Sequence, residues 1–151
     1  MNLGVIGCGK MGSALAQGIV KSGVCAGSDT YLFDAYEPAA QGLADLIGAT
    51  LLNSNAEVAA QSDVVLVCVK PQGLREMLAE LGDSSNILII SIAAGVKISD
   101  IENALGNRHR VIRVMPNTPA MVSMGASGFA RGSQATAGDA ELTRNLLESV
   151  G

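Results

Sequence analysis

The sequence predicts an α/β fold with a doubly wound, mostly parallel sheet and helices on both of its faces. Two observations lead to this fold class. Short apolar runs of strand length alternate with segments whose apolar residues recur every three or four positions, a pattern typical of βαβ units with parallel strands. In addition, 48% of the 151 residues are hydrophobic and 16% are charged, a composition that allows a buried core and excludes intrinsic disorder.

The first part of the chain predicts two strand-helix pairs. Leu3–Ile6 is a short apolar run followed by glycines, as expected of a buried parallel strand. Apolar residues then recur at helical spacing as far as Gly23, which closes the helix. Thr30–Phe33 is β-branched and aromatic and predicts a strand. Pro38 suits the first turn of a helix that runs to about Ile47.

The rest of the chain continues the alternation. Val64–Val69 is the clearest buried strand, and Pro71 stops it. After a helix comes a strand at Ile87–Ile90, and the Ser-x-x-Glu pattern at Ser99–Glu102 predicts a capping box that opens a helix through Leu105. Further strands are expected at Ala49–Leu52, Val111–Val114 and Ala126–Ala130, and a last helix over Leu142, Leu146, Leu147 and Val150.

Charge and cysteine content exclude several function classes. A net charge of −4 argues against nucleic acid or an anionic membrane as a partner. The apolar runs are far shorter than the roughly 18 residues that cross a bilayer, and Met1–Gly4 does not have the form of a signal or transit peptide. Three cysteines without a C-x-x-C pair and the single His109 predict no metal site and reduced thiols in a cytoplasmic protein. Arg108–Arg110 is expected to face solvent.

A glycine-rich loop follows the first predicted strand. Gly7–Gly12 has the sequence GCGKMG, which matches the G-x-G-x-x-G pattern of dinucleotide-binding loops. Gly7 allows the tight turn, Gly9 lets the backbone approach a pyrophosphate, and Gly12 lets the helix pack closely on the strand. The anion would then lie at the positive end of that helix. A structural glycine turn without a ligand is the alternative.

Asp34 follows the second predicted strand, about 20 residues beyond the loop. A carboxylate there accepts hydrogen bonds from the adenosine ribose hydroxyls and disfavours a 2′-phosphate. The segment 34–41 contains no lysine or arginine that would hold such a phosphate, so Asp34 favours NAD over NADP. The alternative is that Asp34 only caps the following helix.

Three further motifs complete the pattern. They are Val-Lys-Pro-Gln at Val69–Gln72, Ser-Ile-Ala-Ala-Gly-Val at Ser91–Val96, and Arg-Val-Met-Pro-Asn-Thr-Pro at Arg113–Pro119. Together with Gly7–Gly12 they resemble the pyrroline-5-carboxylate reductases, over essentially the whole chain. The resemblance implies a Rossmann-type fold and NADP as the cofactor. Most members have a small or neutral residue where this chain has Asp34.

The resemblance also implies which residues contact the cofactor. The pyrophosphate loop comprises Gly7, Cys8, Gly9, Lys10, Met11 and Gly12. The adenosine side comprises Asp34, Tyr36 and Asn55. A third set passes under the cofactor or lies beside the nicotinamide, and it comprises Val69, Lys70, Pro71, Ala93, Ala94, Gly95 and Asn117. No catalytic side chain is assigned.

The resemblance covers the nucleotide-binding domain of the family, so residues 1–151 are expected to form one such domain. A helical C-terminal domain of the family, which builds a dimer and completes the substrate site, lies outside this sequence. The implied function is NAD(P)H-dependent reduction of 1-pyrroline-5-carboxylate to L-proline, the last step of proline synthesis. Two alternatives stay open: a regulatory module that binds nucleotide without catalysis, and a reductase acting on another imine or on a deazaflavin.

Overall fold

The computed structural model of the chain describes residues 1–84, 86–117 and 127–151. Its strands are β1 (Leu3–Ile6), β2 (Thr30–Phe33), β3 (Thr50–Leu51), β4 (Val64–Val67), β5 (Leu88–Ser91), β6 (Arg110–Met115) and β7 (Gly128–Arg131). Its helices are α1 (Lys10–Ser22), α2 (Glu37–Ile47), α3 (Asn55–Gln61), α4 (Pro71–Ala79), α5 (Ile98–Ala104) and α6 (Ala137–Glu148). A short 3₁₀ turn at Gly27–Asp29 precedes β2.

Within the described residues the strands form one sheet in the order β3-β2-β1-β4-β5-β6-β7. The pairs from β3 to β6 are parallel, and β7 runs antiparallel to β6. The chain therefore winds outward from β1 in one direction and then returns to continue from β4 in the other. The predicted doubly wound, mostly parallel fold is confirmed.

The core has one layer on each face of the sheet. Leu15, Leu43 and Leu146 bring α1, α2 and α6 onto one face. Val58, Leu74 and Ile101 bring α3, α4 and α5 onto the other. The four residues of β1, β4 and β5 are buried throughout, because helices cover both sides of the central strands.

Helices α1 and α6 approach each other closely. A Cβ added to Gly18 would lie 2.5 Å from the Val150 side chain and 3.0 Å from the Ser149 carbonyl oxygen. Val150 itself is 1% exposed. The absence of a side chain at Gly18 thus lets the end of the chain pack against α1, whose first turn belongs to the glycine loop.

Two local expectations are wrong. Strand β4 ends at Val67 and not at Val69, because the chain turns away to begin α4 at Pro71. The Ser99–Glu102 pattern is not a capping box: the N-cap of α5 is Lys97, two residues before Ser99, and it makes no side-chain cap. The Glu102 carboxylate instead accepts hydrogen bonds from the backbone and hydroxyl groups of Ser133.

Helix α3 was not predicted, although its signal is in the sequence. Ser54 precedes it, and the Ser54 hydroxyl oxygen accepts a hydrogen bond from the Glu57 backbone N–H at 3.1 Å. The same Ser-x-x-Glu pattern therefore marks a real helix start at Ser54.

The last strand and the last helix also lie close to their predicted positions. The strand expected at Ala126–Ala130 is β7 at Gly128–Arg131, and Ala126 lies outside the described residues. So do Thr118 and Pro119 of the third motif. The last predicted helix is α6, which opens with a capping box between Thr136 and Asp139.

The basic segment Arg108–Arg110 does not simply face solvent. His109 is 1% exposed, and its Nδ1 accepts a hydrogen bond from the Ile87 backbone N–H at 3.2 Å. Its Nε2 is buried with no partner among the described residues. Burial lowers the pKa of His109, and the charges of Arg108 and Arg110 lower it further. The ring is therefore neutral in the folded chain at neutral pH.

We expect the free energy of unfolding to fall as the pH is lowered from about 7 to about 5. The pKa of His109 in the folded chain lies below its usual value of 6.5. Between these two pKa values the unfolded chain binds a proton at His109 and the folded chain does not, so lowering the pH stabilises the unfolded state. Urea unfolding across this range would measure it. In His109→Asn, whose amide oxygen keeps an acceptor, the histidine part of the slope should vanish, and an unchanged slope would contradict the assignment.

Candidate functional site

The candidate site lies at the carboxyl edge of the parallel strands. Strand register places Phe33, Ile6, Val67 and Ser91 side by side across four neighbouring strands. The segments that follow these residues therefore leave the sheet at the same edge. Strand order reverses between β1 and β4, and in doubly wound sheets ligands bind in the crevice at this position.

A cleft of about 520 Å³ opens at this position. It is bordered by the glycine loop after β1, the turns after β2 and β4, and one face of α4. The lining residues are Ile6, Gly7, Gly9, Phe33, Asp34, Ala35, Asn55, Cys68, Val69, Lys70, Gly73, Glu76, Met77 and Glu80. Six of the sixteen residues expected to contact a cofactor line it: Gly7, Gly9, Asp34, Asn55, Val69 and Lys70.

The three glycines of the loop have different structural roles. Gly7 has φ +94°, and a Cβ there would lie 2.7 Å from the backbone of Cys68. A Cβ at Gly12 would overlap the Gly7 carbonyl oxygen. Gly9, in contrast, has φ −72°, and a Cβ there would meet nothing within 4 Å. The fold requires glycine at positions 7 and 12, whereas the space beside Gly9 is open to the cleft.

The amino end of α1 suits an anion. Gly9 is the N-cap, no side chain caps the helix, and its first turn contains no acidic residue. The first backbone N–H groups of a helix have no acceptor within the helix and carry a partial positive charge. They are directed toward the turn that borders the cleft, as in phosphate-binding loops.

Asp34 links the glycine loop to the turn after β2. Its Oδ2 accepts a hydrogen bond from the Cys8 backbone N–H at 2.6 Å, and its Oδ1 accepts one from the Tyr36 backbone N–H at 2.8 Å. Tyr36 is the N-cap of α2, and no side chain caps that helix. Asp34 is therefore not a helix cap, and its carboxylate is held rigidly at the wall of the cleft. Each carboxylate oxygen retains a second lone pair.

The far wall comes from α3 and α4. Asn55 is 6% exposed, and its Nδ2 donates a hydrogen bond to Glu80 Oε2 at 2.8 Å. Its Oδ1 is buried without a partner among the described residues. Four residues of α4 and its end line this wall that were not expected at the site: Gly73, Glu76, Met77 and Glu80. Their spacing of three and four places them on one helix face, which is the signal that could have identified them.

The other ten expected residues are not among those that line the cleft. Tyr36 is 68% exposed, and Ala93 is buried, with its N–H donating to Ser91 Oγ at 3.3 Å. Gly95 has φ +74° in the loop after β5. Asn117 is the second residue beyond the end of β6. Cys8, Lys10 and Pro71 each adjoin a lining residue in sequence. Met11 and Gly12 lie in the first turn of α1, and Ala94 lies in the loop after β5.

One thiol, Cys8, belongs to the glycine loop, and a second, Cys68, lies beside it. Burial raises the pKa of Cys8 to about 12, and the Asp34 charge adds to the rise. Burial also raises the pKa of Cys68 to about 12, with a smaller contribution from Cys8. Because the thiolate is the reactive form of cysteine, both side chains are protonated packing groups at neutral pH.

Neither a metal cluster nor a membrane-spanning helix is found among the described residues. In the described part of the chain, no three histidine, cysteine or acidic side chains group as metal ligands would. Among its helices, none combines the length and apolar character that crossing a membrane requires.

The fold and the cleft place the protein in the class of Rossmann-type nucleotide-binding α/β proteins. Strand order, glycine loop and acidic residue after β2 all follow that pattern. The chain belongs to the family described as NADP oxidoreductase coenzyme F420-dependent, which it matches over residues 2–95.

The predicted resemblance to pyrroline-5-carboxylate reductases is confirmed. The enzyme of Methanosarcina acetivorans is 42% identical, covering 99% of this chain and 56% of the relative. The structure of the Coxiella burnetii enzyme matches with a TM-score of 0.92 at 27% identity, covering 99% of this chain and 56% of that protein. Pyrroline carboxylate reductase of Plasmodium falciparum, solved with NADP bound, matches with a TM-score of 0.87 at 27% identity, covering 100% and 55%. The chain thus spans about half the length of its relatives.

Proposed function

We propose that this chain binds a nicotinamide dinucleotide in the cleft and serves the NAD(P)H-dependent reduction of 1-pyrroline-5-carboxylate to L-proline. The observation that carries the proposal is the open space beside Gly9 at the uncapped start of α1. This arrangement fits a pyrophosphate. The similarity to pyrroline-5-carboxylate reductases over 99% of the chain supports the substrate.

Different residues would contact different parts of the cofactor. The loop Gly7–Gly12 holds the pyrophosphate through backbone N–H groups. Asp34 and Asn55 face the adenosine half, since both line the cleft on the side of β2 and α3. The turns at Val69–Pro71 and Ala93–Gly95, together with Asn117, follow the next strands at the same sheet edge and border the nicotinamide half.

The reaction needs orientation more than a strong acid. When bound, a reduced nicotinamide would supply a hydride to the C=N carbon of an imine whose ring nitrogen has already accepted a proton. The protein's task is to hold the two reactants in line and to exclude competing water. Backbone groups of the turns after β5 and β6 suit a carboxamide, which has both a donor and an acceptor.

We further propose that residues outside this sequence complete the substrate site and build a homo-oligomer. The chain covers 56% of the Methanosarcina relative, so that enzyme has residues beyond those that match this chain. Three free cysteines suit a reducing compartment such as the cytoplasm.

Calorimetric titration of the purified chain with NADH and with NADPH tests the cofactor part. We expect saturable binding of at least one of them. Binding of neither would refute the proposal, because Gly7–Gly12 would then be only a structural turn.

Turnover tests the substrate part. With 1-pyrroline-5-carboxylate we expect the 151-residue chain alone to oxidise little reduced cofactor. In the protein that carries this chain, cofactor oxidation should be faster with 1-pyrroline-5-carboxylate than with a cyclic imine that lacks the carboxylate. Equal rates would favour a reductase for another imine, and binding without turnover on any imine would favour a regulatory module.

A further inference from the structure

The lining of the cleft has an unusual charge for a site that holds a phosphorylated cofactor. Among the described residues that line the cleft, three are acidic and Lys70 is the one basic side chain. The acidic residues are Asp34, Glu76 and Glu80. A 2′-phosphate adds negative charge to the ribose, and NADP sites usually place an arginine near it. This lining has the opposite sign.

Asp34 cannot easily turn away from an incoming group. Both of its carboxylate oxygens accept backbone N–H bonds, at 2.6 Å from Cys8 and 2.8 Å from Tyr36. Its remaining lone pairs can accept bonds from hydroxyl groups, and they repel an anion. A hydroxyl pair on the ribose matches this carboxylate, whereas a phosphate does not.

The Asn55 amide on the opposite wall could donate a hydrogen bond to a phosphate. Its NH₂ group is, however, already bonded to Glu80. A carboxylate only accepts hydrogen bonds, so Glu80 requires the Asn55 amide to turn its NH₂ group toward Oε2, at 2.8 Å. This orientation leaves Oδ1 as the unpartnered atom of the amide. It also means that an anion near the Asn55 NH₂ group would lie close to the Glu80 charge.

We propose that Asp34, Asn55 and Glu80 form a specificity site for the unphosphorylated ribose of NADH, with Glu80 as the residue that positions Asn55. The proposal rests on the proposed function, since it assumes that a dinucleotide occupies the cleft. It assigns to this chain a preference for NADH over NADPH. Glu80 acts through the Asn55 amide and through its charge.

The test is a set of paired titrations of the purified chain with NADH and NADPH at low ionic strength. We expect the chain to bind NADH about tenfold or more tightly than NADPH. Raising the salt concentration should narrow this ratio, because screening weakens the repulsion of the phosphate. Asp34→Ser should lower the ratio most.

Two variants with glutamine in place of a glutamate separate the positioning role of Glu80 from the effect of its charge. Glu76→Gln removes a charge from the same wall and leaves the Asn55–Glu80 hydrogen bond in place, whereas Glu80→Gln removes the charge and also frees the amide to rotate. Both should raise the affinity for NADPH relative to that for NADH, and the effect of Glu80→Gln should be several-fold larger because it also changes the position of the Asn55 amide. Glu141→Gln, on the exposed surface of α6, should leave both affinities unchanged.

The outcomes distinguish this inference from the proposed function. Binding of neither cofactor refutes the proposed function. NADPH binding as tightly as NADH, or more tightly, overturns the inference alone. A Glu80→Gln chain that loses affinity equally for both cofactors has lost structure, and this result would also overturn the specificity role. Equal effects of Glu76→Gln and Glu80→Gln would overturn the positioning of Asn55.

Discussion

Replacement of Gly9 by alanine is expected to weaken dinucleotide binding by about tenfold or more while the chain stays folded. The added methyl group would project into open space, since nothing lies within 4 Å of its position. That space borders the cleft, at the point where the backbone must approach the pyrophosphate. The loss in stability should be under about 1 kcal/mol, the difference between glycine and alanine as an N-cap.

Gly12→Ala is the matched control, because its main expected effect is a loss of folding stability. Its methyl group would overlap the Gly7 carbonyl oxygen and come within 3.0 Å of the Cys68 side chain, so the first turn of α1 must move away from β1. Overpacking of this kind costs about 1–3 kcal/mol. Urea unfolding and calorimetric binding of both variants would measure the two effects. Normal cofactor binding by Gly9→Ala would show that no ligand approaches this glycine.

The second large effect is expected at Asp139, far from the cleft. Asp139→Ala should lower the free energy of unfolding by about 2–4 kcal/mol. Asp139 Oδ2 accepts bonds from Arg110 Nε at 2.8 Å and from the Thr136 backbone N–H at 2.9 Å. The substitution removes the capping box of α6 and leaves the half-buried Arg110 without its carboxylate. Glu141→Ala, whose pair with Arg144 is exposed, should cost less than about 0.5 kcal/mol.

The Asp139 carboxylate also makes the free energy of unfolding depend on pH under acid conditions. Burial by itself would raise the pKa of Asp139, but the Thr136 backbone N–H and the Arg110 guanidinium outweigh burial and lower it below 3.8. A lowered folded pKa stabilises the fold above the unfolded pKa, and this contribution is lost as the pH falls below about 4. In Asp139→Ala, the free energy of unfolding should therefore depend less on pH in this acid range than it does in the parent chain. The same pH dependence in both chains would contradict this role.

Much of the fold was predictable because each central strand carries its own local signal. β1 and β2 have the predicted bounds, since both are short apolar or β-branched runs bordered by turn residues. The helix after Ser54 was missed because its seven residues are too few to show a clear apolar period. The capping pattern at Ser99 misled because Glu102 is used in a tertiary contact with Ser133, which no local pattern reveals.

The site was predictable where backbone geometry requires particular residues. A glycine loop and an acid after β2 can be recognised from spacing alone. The spacing of Glu76 and Glu80 shows that they share a helix face, but only the fold brings that face to the cleft beside Asn55. The Asn55–Glu80 hydrogen bond joins residues 25 positions apart, and only the fold brings them together.

The hydrogen bond between Asp34 and the Cys8 backbone has a consequence for how this chain can diverge. The carboxylate that we propose faces the ribose also accepts a hydrogen bond from the glycine loop, so the proposed cofactor preference and the support of the loop depend on the same residue. A substitution that removes the charge at position 34 and provides no acceptor would leave the Cys8 N–H without its partner. The glycine loop would stay supported after such a change only if the new side chain, or another one, accepts this hydrogen bond.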